Sequence, residues 1–308
     1  MEYRKIGTLN VSTTGLGCNN FGWRLDYDHT VAVVDAALEA GINFLDTADI
    51  YGPLQSEEYL GRALQGRRDR VVLATKFGMK VDDRRKGAKP DYARQACEDS
   101  LRRLRTDHID LYQLHQPDPE TPIADTLGAL DELVRAGKVR EIGCSNFSVE
   151  QLREAEAAAG TGARFVSVQN EFSLLHRDPE RGVLAECERQ GMAFLPFFPL
   201  AGGMLTGKYR LGQPLPENTR LAKGNARFLN DRNLGIAEEL IGFAAFRGHS
   251  LLELAFSWLL SHPQVASVIA GATSPEQVHA NVHATGWHLT HADLAEIDKL
   301  APAESPAS

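Results

Sequence analysis

The sequence predicts a single-domain (β/α)8 barrel of the TIM class over residues 1–300, on three observations. Short apolar runs alternate with longer helical patterns from end to end, as expected of parallel strands joined by right-handed crossovers. Eight such units in about 300 residues match the size of a closed barrel. The rival fold, an open doubly wound sheet, lacks its fingerprint: Gly15, Gly17 and Gly22 are not spaced as G-x-G-x-x-G.

The elements follow in order. Residues 14–17 read as a short first strand, and residues 31–38 as a helix stopped by Gly41, a residue free to take positive φ. Residues 43–46 form the second strand. Ser56 is expected to cap a helix running to Leu64, with Glu58 near its start. Residues 71–74 are continuously apolar, as in a strand covered on both faces. A helix over 92–104, a strand over 109–114, a helix over 123–135 ending before Gly137, a strand over 139–144 and a helix over 149–159 come next. Strands over 165–169, 193–197 and 268–270 complete the eight, with helices at about 180–190, 231–246, 250–261 and 275–284 between and after them. No linker divides the chain. The Gly-, Pro- and Lys/Arg-rich stretch 199–230 is expected to be a long loop, and long loops in compact domains serve as lids or binding segments. The tail 301–308 is expected to fray.

Composition narrows the function. With 43% hydrophobic and 24% charged residues among 308, the chain reads as an ordinary globular protein. At this length folding buries roughly three quarters of the unfolded surface, so no disulfide or metal staple is needed. A net charge of −8 argues against nucleic acid or anionic lipid as the main partner. The densest basic stretch, Arg84-Arg85-Lys86, lies beside Asp82 and Asp83 and reads as a solvated loop. Cys18, Cys97, Cys144 and Cys187 lie far apart without metal-ligand spacing, and no metal site is expected. Met1 runs straight into Glu2, Arg4 and Lys5 without a signal-peptide pattern. No apolar run approaches the ~18 residues of a membrane span. A reducing cytoplasm without membrane attachment is the expectation.

Four ionisable residues fall at or just after strand C-termini, the face on which barrel enzymes build their sites. Asp46 ends the second strand, Tyr51 follows it, Lys76 ends the third and His115 the fourth. A phenol is a poor acid at neutral pH, but a neighbouring ammonium lowers its pKa. Asp46 would hold Lys76 charged, His115 would hydrogen-bond a substrate oxygen, and Tyr51 would protonate it. Taken singly, each has a blander reading: a strand-end cap for Asp46, packing for Tyr51, a satisfied core residue for His115. The grouping of all four on one face weakens those readings. No activated nucleophile is present, so hydrolysis is not suggested.

The stretch from Gly41 to Gly52, GINFLDTADIYG, resembles the signature of the aldo-keto reductase superfamily. So do Ala74-Thr-Lys76-Phe-Gly, the run from Ile109 to His115, and Ile142-Gly-Cys-Ser-Asn-Phe147. The resemblance covers nearly the whole chain in the right order. It implies Asp46, Tyr51, Lys76 and His115 as a catalytic tetrad, with Tyr51 as general acid in reduction and base in oxidation. It implies a nicotinamide cofactor, NADP(H) rather than NAD(H), with a small carbonyl or alcohol as substrate. Ser145, Asn146 and Gln169 match positions that hydrogen-bond the carboxamide, although strand-end capping would also explain them. Gly17, Cys18, Asn19 and Asp46 would line the same cofactor. Phe197 falls where the family stacks an aromatic ring on the nicotinamide, and Phe198 replaces a common Ser.

The run from Phe198 to Tyr209 resembles the cofactor-clasping loop of the branch that includes voltage-gated potassium channel β subunits. Pro199, Leu200, Ala201 and Gly202 would follow the cofactor, and glycines at 202 and 203 would admit the pyrophosphate. Lys208 and Arg220 match basic phosphate contacts. The run from Gly271 to Asn281 resembles the adenosine segment, where a helix N-terminus attracts anions. Gly271, Thr273, Gln277 and Asn281 are the matching contacts there. Gly271 and Gln277 stand where many members carry Lys and Arg, so the 2′-phosphate would rest on Lys208, Arg220 and hydroxyls. Asn20, Trp23, Phe77 and the 199–230 loop are the candidate substrate wall, although barrel-rim packing would equally explain Trp23 and Phe77. The channel-subunit likeness leaves a second reading open: a redox-reporting regulatory subunit with slow turnover.

Overall fold

The computed structural model describes residues 1–217, 219, 221 and 226–303. An antiparallel hairpin that sequence reasoning did not foresee, β1 (Tyr3–Ile6) and β2 (Leu9–Ser12), precedes the barrel. Its Ile6, Leu9 and Val11 pack with the barrel residues Phe44, Ala74, Leu111, Leu195 and Ile269. Thr8 is bonded to Glu141, and Asn43 to Asn10, near the starts of barrel strands, so the hairpin floors the barrel at its N-terminal end.

The barrel itself is β3 (Thr14–Gly17), α1 (Tyr27–Glu39), β4 (Phe44–Asp46), α2 (Gln55–Ala63), β5 (Val72–Phe77), α3 (Pro90–Leu104), β6 (Ile109–Leu114), α4 (Ile123–Arg135), β7 (Val139–Ser145), α5 (Val149–Ala159), β8 (Phe165–Glu171), α6 (Val183–Gln190), β9 (Ala193–Phe197), α7 (Asp231–Phe246), α8 (Leu251–Leu260), β10 (Val268–Gly271), α9 (Pro275–His283) and α10 (His291–Leu300). Eight strands run parallel in the order β10-β3-β4-β5-β6-β7-β8-β9. The ring closes where Phe194 of β9 donates to the Gln264 carbonyl at 2.7 Å and accepts from the Ala266 amide at 3.0 Å. This is the expected (β/α)8 barrel.

Two details differ from expectation. Ser56 does not cap α2; its hydroxyl donates to the Cys18 carbonyl at 2.9 Å and meets the Thr47 hydroxyl. The helix starts at Gln55 behind Leu54, which takes φ 72°. The stretch after β9 is not structureless: residues 201–206 and 226–228 form short 3-10 turns, and Met204, Leu205, Tyr209, Leu221 and Phe228 are buried beneath it. Arg220 lies outside the described residues, as do residues 304–308 of the tail. Ala301, at the tail's expected start, is buried, and its carbonyl accepts from Arg177 at 2.8 Å.

All four cysteines are buried and unpaired. Among the described residues, no helix is long and apolar enough to cross a membrane.

Candidate active site

Register brings the functional side chains to one rim. Gly17 pairs with Asp46, Lys76 with Gln113 and Ser145 with Gln169, so these strands end level with one another. Lys76 is fully buried. Its ammonium ion-pairs with Asp46 Oδ1 and donates to the Thr47 carbonyl at 2.9 Å. Asp46 Oδ2 accepts from Gln113 Nε2 at 3.0 Å and Gln169 Nε2 at 3.1 Å. Both carboxylate oxygens are therefore engaged, and Asp46 cannot turn away from the lysine. Gln113 is a residue that sequence reasoning missed. Its signal was present: it sits two before His115, and the period of a strand puts both on one face.

Tyr51 hangs over this pair from the turn after β4. The Lys76 ammonium lies 5.1 Å from the centre of its ring, and the His115 ring meets it edge-on at 5.8 Å between centroids. The turn depends on Gly52, at φ 59°. A β-carbon there would come within 2.0 Å of the Phe21 carbonyl oxygen.

The electrostatics correct one expectation. Burial pushes the Tyr51 phenol up; the Lys76 charge pulls it back without reversing the shift, so the phenol ends above its ordinary 10.0. Lys76 reduces the cost of forming phenolate in this site but does not acidify the tyrosine relative to water. Burial opposes the charge on Lys76 too, yet Asp46 and Tyr51 outweigh it, and the ammonium is held above its ordinary range. Burial first, then repulsion from Lys76, pushes His115 down to about 3, so its imidazole is neutral at physiological pH. Its Nδ1 is buried without a partner.

Tyr51, His115 and Asp46 open onto a cavity of about 1200 Å3 at the C-terminal end of the barrel. Gly17, Cys18, Asn19, Asn20, Ser145, Asn146, Gln169, Phe197, Phe198, Pro199, Leu200, Gly202, Lys208, Gly271, Thr273, Gln277 and Asn281 all line it, as the sequence led us to expect. Three expected residues do not. Phe77 has no exposed surface and stacks on Tyr112 at 4.7 Å. Strand alternation explains this: Lys76 faces the barrel interior, so its neighbour faces the helices. Trp23 is 62% exposed on the outside of its loop, and Ala201 is buried under the long loop. Thr206 and Thr219 of the expected 199–230 loop line the cavity, and Arg24, Met79, Gln116 and Pro117 do so without having been foreseen. They sit on loops, where no period in the sequence aims a side chain.

Polar groups along the cavity are already oriented by the protein. Ser145 Oγ donates to the Gln169 carbonyl at 2.7 Å. Asn146, at φ 63°, donates to the His115 carbonyl at 3.0 Å and to Ser145 Oγ at 3.1 Å. Gln277 Oε1 accepts from the Thr273 amide and hydroxyl at 2.9 and 3.1 Å, which fixes the entry to α9. Over the top, Phe198 meets Phe197 and Phe228 edge-on, and Arg227 lies against both Phe198 and Phe228 while bonding Glu171.

Comparison with known proteins supplies an independent line. The family model described as the aldo/keto reductase family matches residues 13–302. The aldo-keto reductase YhdN of Bacillus subtilis is 35% identical, over 97% of this chain and 93% of the relative. The probable aldo-keto reductase 1 of Glycine max is 34% identical, over 97% and 88%. Among solved structures, the holo form of aldo-keto reductase AKR11C1 from Bacillus halodurans superposes with a TM-score of 0.81 at 34% identity, covering 99% of this chain and 97% of that one.

Proposed function

The chain belongs to the aldo/keto reductase family, oxidoreductases that act between carbonyls and alcohols with a nicotinamide cofactor, and from that premise we propose that it is NADP(H)-dependent with Tyr51 as its general acid and base. The observation that carries this is the buried chain Asp46–Lys76–Tyr51 beside a neutral His115, opening on the cavity.

The residues fit a dinucleotide. At about 1200 Å3 the cavity exceeds the roughly 300–1000 Å3 of ordinary small-ligand sites, leaving room for substrate as well. Asn20 Oδ1 and His115 Nδ1 are buried polar atoms without partners on its wall. Gly202 and Gly203, at φ 69° and 104°, let bare backbone face it, flanked by Thr206, Lys208 and Thr219. Ser145, Asn146 and Gln169 would hold the nicotinamide end; Thr273, Gln277 and Asn281 would hold the adenosine end. Lys208 favours a 2′-phosphate, hence NADP over NAD. When bound, the reduced cofactor supplies the hydride.

The protein's own part is proton handling. His115 is neutral, so it orients the carbonyl oxygen by hydrogen bonding without bringing a charge. Tyr51 is fully protonated at neutral pH because burial holds its pKa up. As the oxygen takes on alkoxide character it becomes more basic than a phenolate, and the proton moves to it. The phenolate left behind faces the Lys76 ammonium, which Asp46 keeps charged and Gln113 and Gln169 keep in place. Oxidation runs the same steps in reverse.

The test is steady-state oxidation of NADPH and NADH with a panel of aldehydes, in the wild type and in Lys208→Ala. NADPH turnover is expected, and the substitution should weaken NADPH by about tenfold or more while sparing NADH, the scale of one lost charged contact. Equal losses for both cofactors would remove Lys208 from 2′-phosphate recognition. Tight NADPH binding without turnover of any aldehyde would favour the redox-reporting alternative.

A further inference from the structure

Arg24 and Lys208 are the two Lys/Arg side chains on the cavity wall among the described residues, and the mechanism above uses only Lys208. The turn that carries Arg24 is rigid. The Asn20 carbonyl accepts from the amides of Trp23, Arg24 and Leu25 at 3.3, 2.9 and 3.0 Å, and the Gly22 amide donates to the Leu25 carbonyl at 2.9 Å. Phe21 and Leu25 anchor it in the core. It is also packed backbone-to-backbone on the turn that carries the proton donor. A β-carbon on Gly22 would meet the Gly52 carbonyl at 2.9 Å, and one on Gly52 would meet the Phe21 carbonyl at 2.0 Å. Gly52 directly follows Tyr51. Arg24 therefore belongs to the reacting end of the cavity.

Arg24 is half-buried, and its guanidinium lies 5.2 Å from the centre of the Trp23 ring. Among the described residues it has neither a carboxylate nor a hydrogen-bond partner. Many arginines elsewhere are held, among them Arg94 by Glu132, Arg189 by Glu186, Arg247 by Asp293 and Arg4 by three carbonyls. The acid on the cavity wall, Asp46, is already neutralised by Lys76. A protein of net charge −8 thus keeps an unspent positive fork on the cavity wall, on the turn that packs against the Tyr51 turn. A planar guanidinium matches an oxyanion in bidentate fashion, and a positive cleft draws anions in.

We propose that Arg24 selects the substrate by binding an anionic group on it, so that the preferred substrates are aldehydes or ketones that also carry a carboxylate or phosphate. This rests on the reductase reading for the carbonyl and on Arg24 for the anion. Trp23 backs the guanidinium from the solvent side.

The experiment compares wild type with Arg24→Gln and Arg24→Lys on matched pairs: succinic semialdehyde against butanal, and glyceraldehyde 3-phosphate against glyceraldehyde. The quantity read is the ratio of kcat/KM for the charged over the neutral member. The wild type should favour the charged member of at least one pair by about tenfold to a hundredfold, the scale of a lost charged hydrogen bond. Arg24→Gln should collapse that ratio through KM, and Arg24→Lys should keep part of it. Which pair responds tells carboxylate from phosphate. A wild type that prefers neither charged member, or a ratio unchanged by Arg24→Gln, overturns the proposal. A second arm needs no turnover: succinate and inorganic phosphate are titrated while tryptophan fluorescence is followed, Trp23 being the neighbour of Arg24. Saturable quenching by at least one anion that Arg24→Gln abolishes supports the anion site even if no aldehyde is reduced, in which case the reductase reading fails alone. Quenching by neither anion, or quenching untouched by the substitution, overturns the site.

Discussion

As the proton donor we propose, Tyr51 would combine two demands that pull in opposite directions. A proton donor must hold its proton at working pH and must also release it. Burial secures the first, and the Lys76 ammonium lowers the barrier to the second by waiting beneath the ring for the phenolate. Tyr51→Phe removes the hydroxyl and little else. It should lower carbonyl reduction by about 10^2 to 10^4-fold, the usual worth of a positioned acid, while NADPH binding stays within a factor of about two. Turnover near the wild-type rate would refute the acid assignment. The pH profile carries the same logic. If the proposed acid role holds, reduction requires the protonated phenol, so kcat/KM should stay level through neutrality and fall only above the ordinary phenol value of 10.0. His115, pushed down to about 3, should add no acidic limb between pH 5 and 8. A limb near 6.5 would show an imidazole that titrates, contrary to its burial.

At the scale of elements, the fit between sequence and structure follows periodicity. β6, α4, α5, β9 and α7 coincide with their expected ranges because continuous apolar runs and helical stripes leave no ambiguity. The hairpin β1–β2 was missed because its residues mix charge with apolar side chains, although Gly7, at φ 55°, marks its turn. Helix α10 was missed even though Thr290 and Asp293 form a capping box that the sequence displays. The grouping of Asp46, Tyr51, Lys76 and His115 was legible because each lies at a strand end or in the turn that follows one. Arg24, Met79 and Gln116 were not, because loop geometry aims them. Of the two readings open for Phe77, packing is the one found, because strand alternation turns it toward the helices. The α2–α3 contact offers a test of packing. A β-carbon on Gly61 would lie 2.5 Å from the Arg103 carbonyl oxygen and 2.6 Å from the Leu104 carbonyl carbon, backbone atoms with little room to retreat. Gly61→Ala should cost about 1–3 kcal/mol, read as a lower urea midpoint. An unchanged midpoint would mean that the two helices separate freely.

For the molecule as a whole, two buried groups set opposing trends of stability with pH. Asp49 is pushed up to about 7 by burial, with Glu57 adding repulsion and Arg103 opposing it. The folded state then binds a proton more tightly than the unfolded chain. Its contribution is complete below about pH 4 and declines as pH rises through 7. His115 acts in the other sense: the unfolded chain takes up the proton between about pH 3 and 6.5, so stability falls as acid is added across that window. Asp49→Asn should therefore raise stability at pH 8 by about 2 kcal/mol, with the gain gone by pH 4. Identical pH dependence in wild type and variant would place the titration elsewhere. The hairpin that floors the barrel has its own consequence. Ile6, Leu9 and Val11 close the N-terminal end of the bore with hydrocarbon, on the side away from the cavity. On the proposed mechanism, a proton that Tyr51 gives away would then be replenished through the same doorway that admits the reactants, and its recharging would be tied to their coming and going.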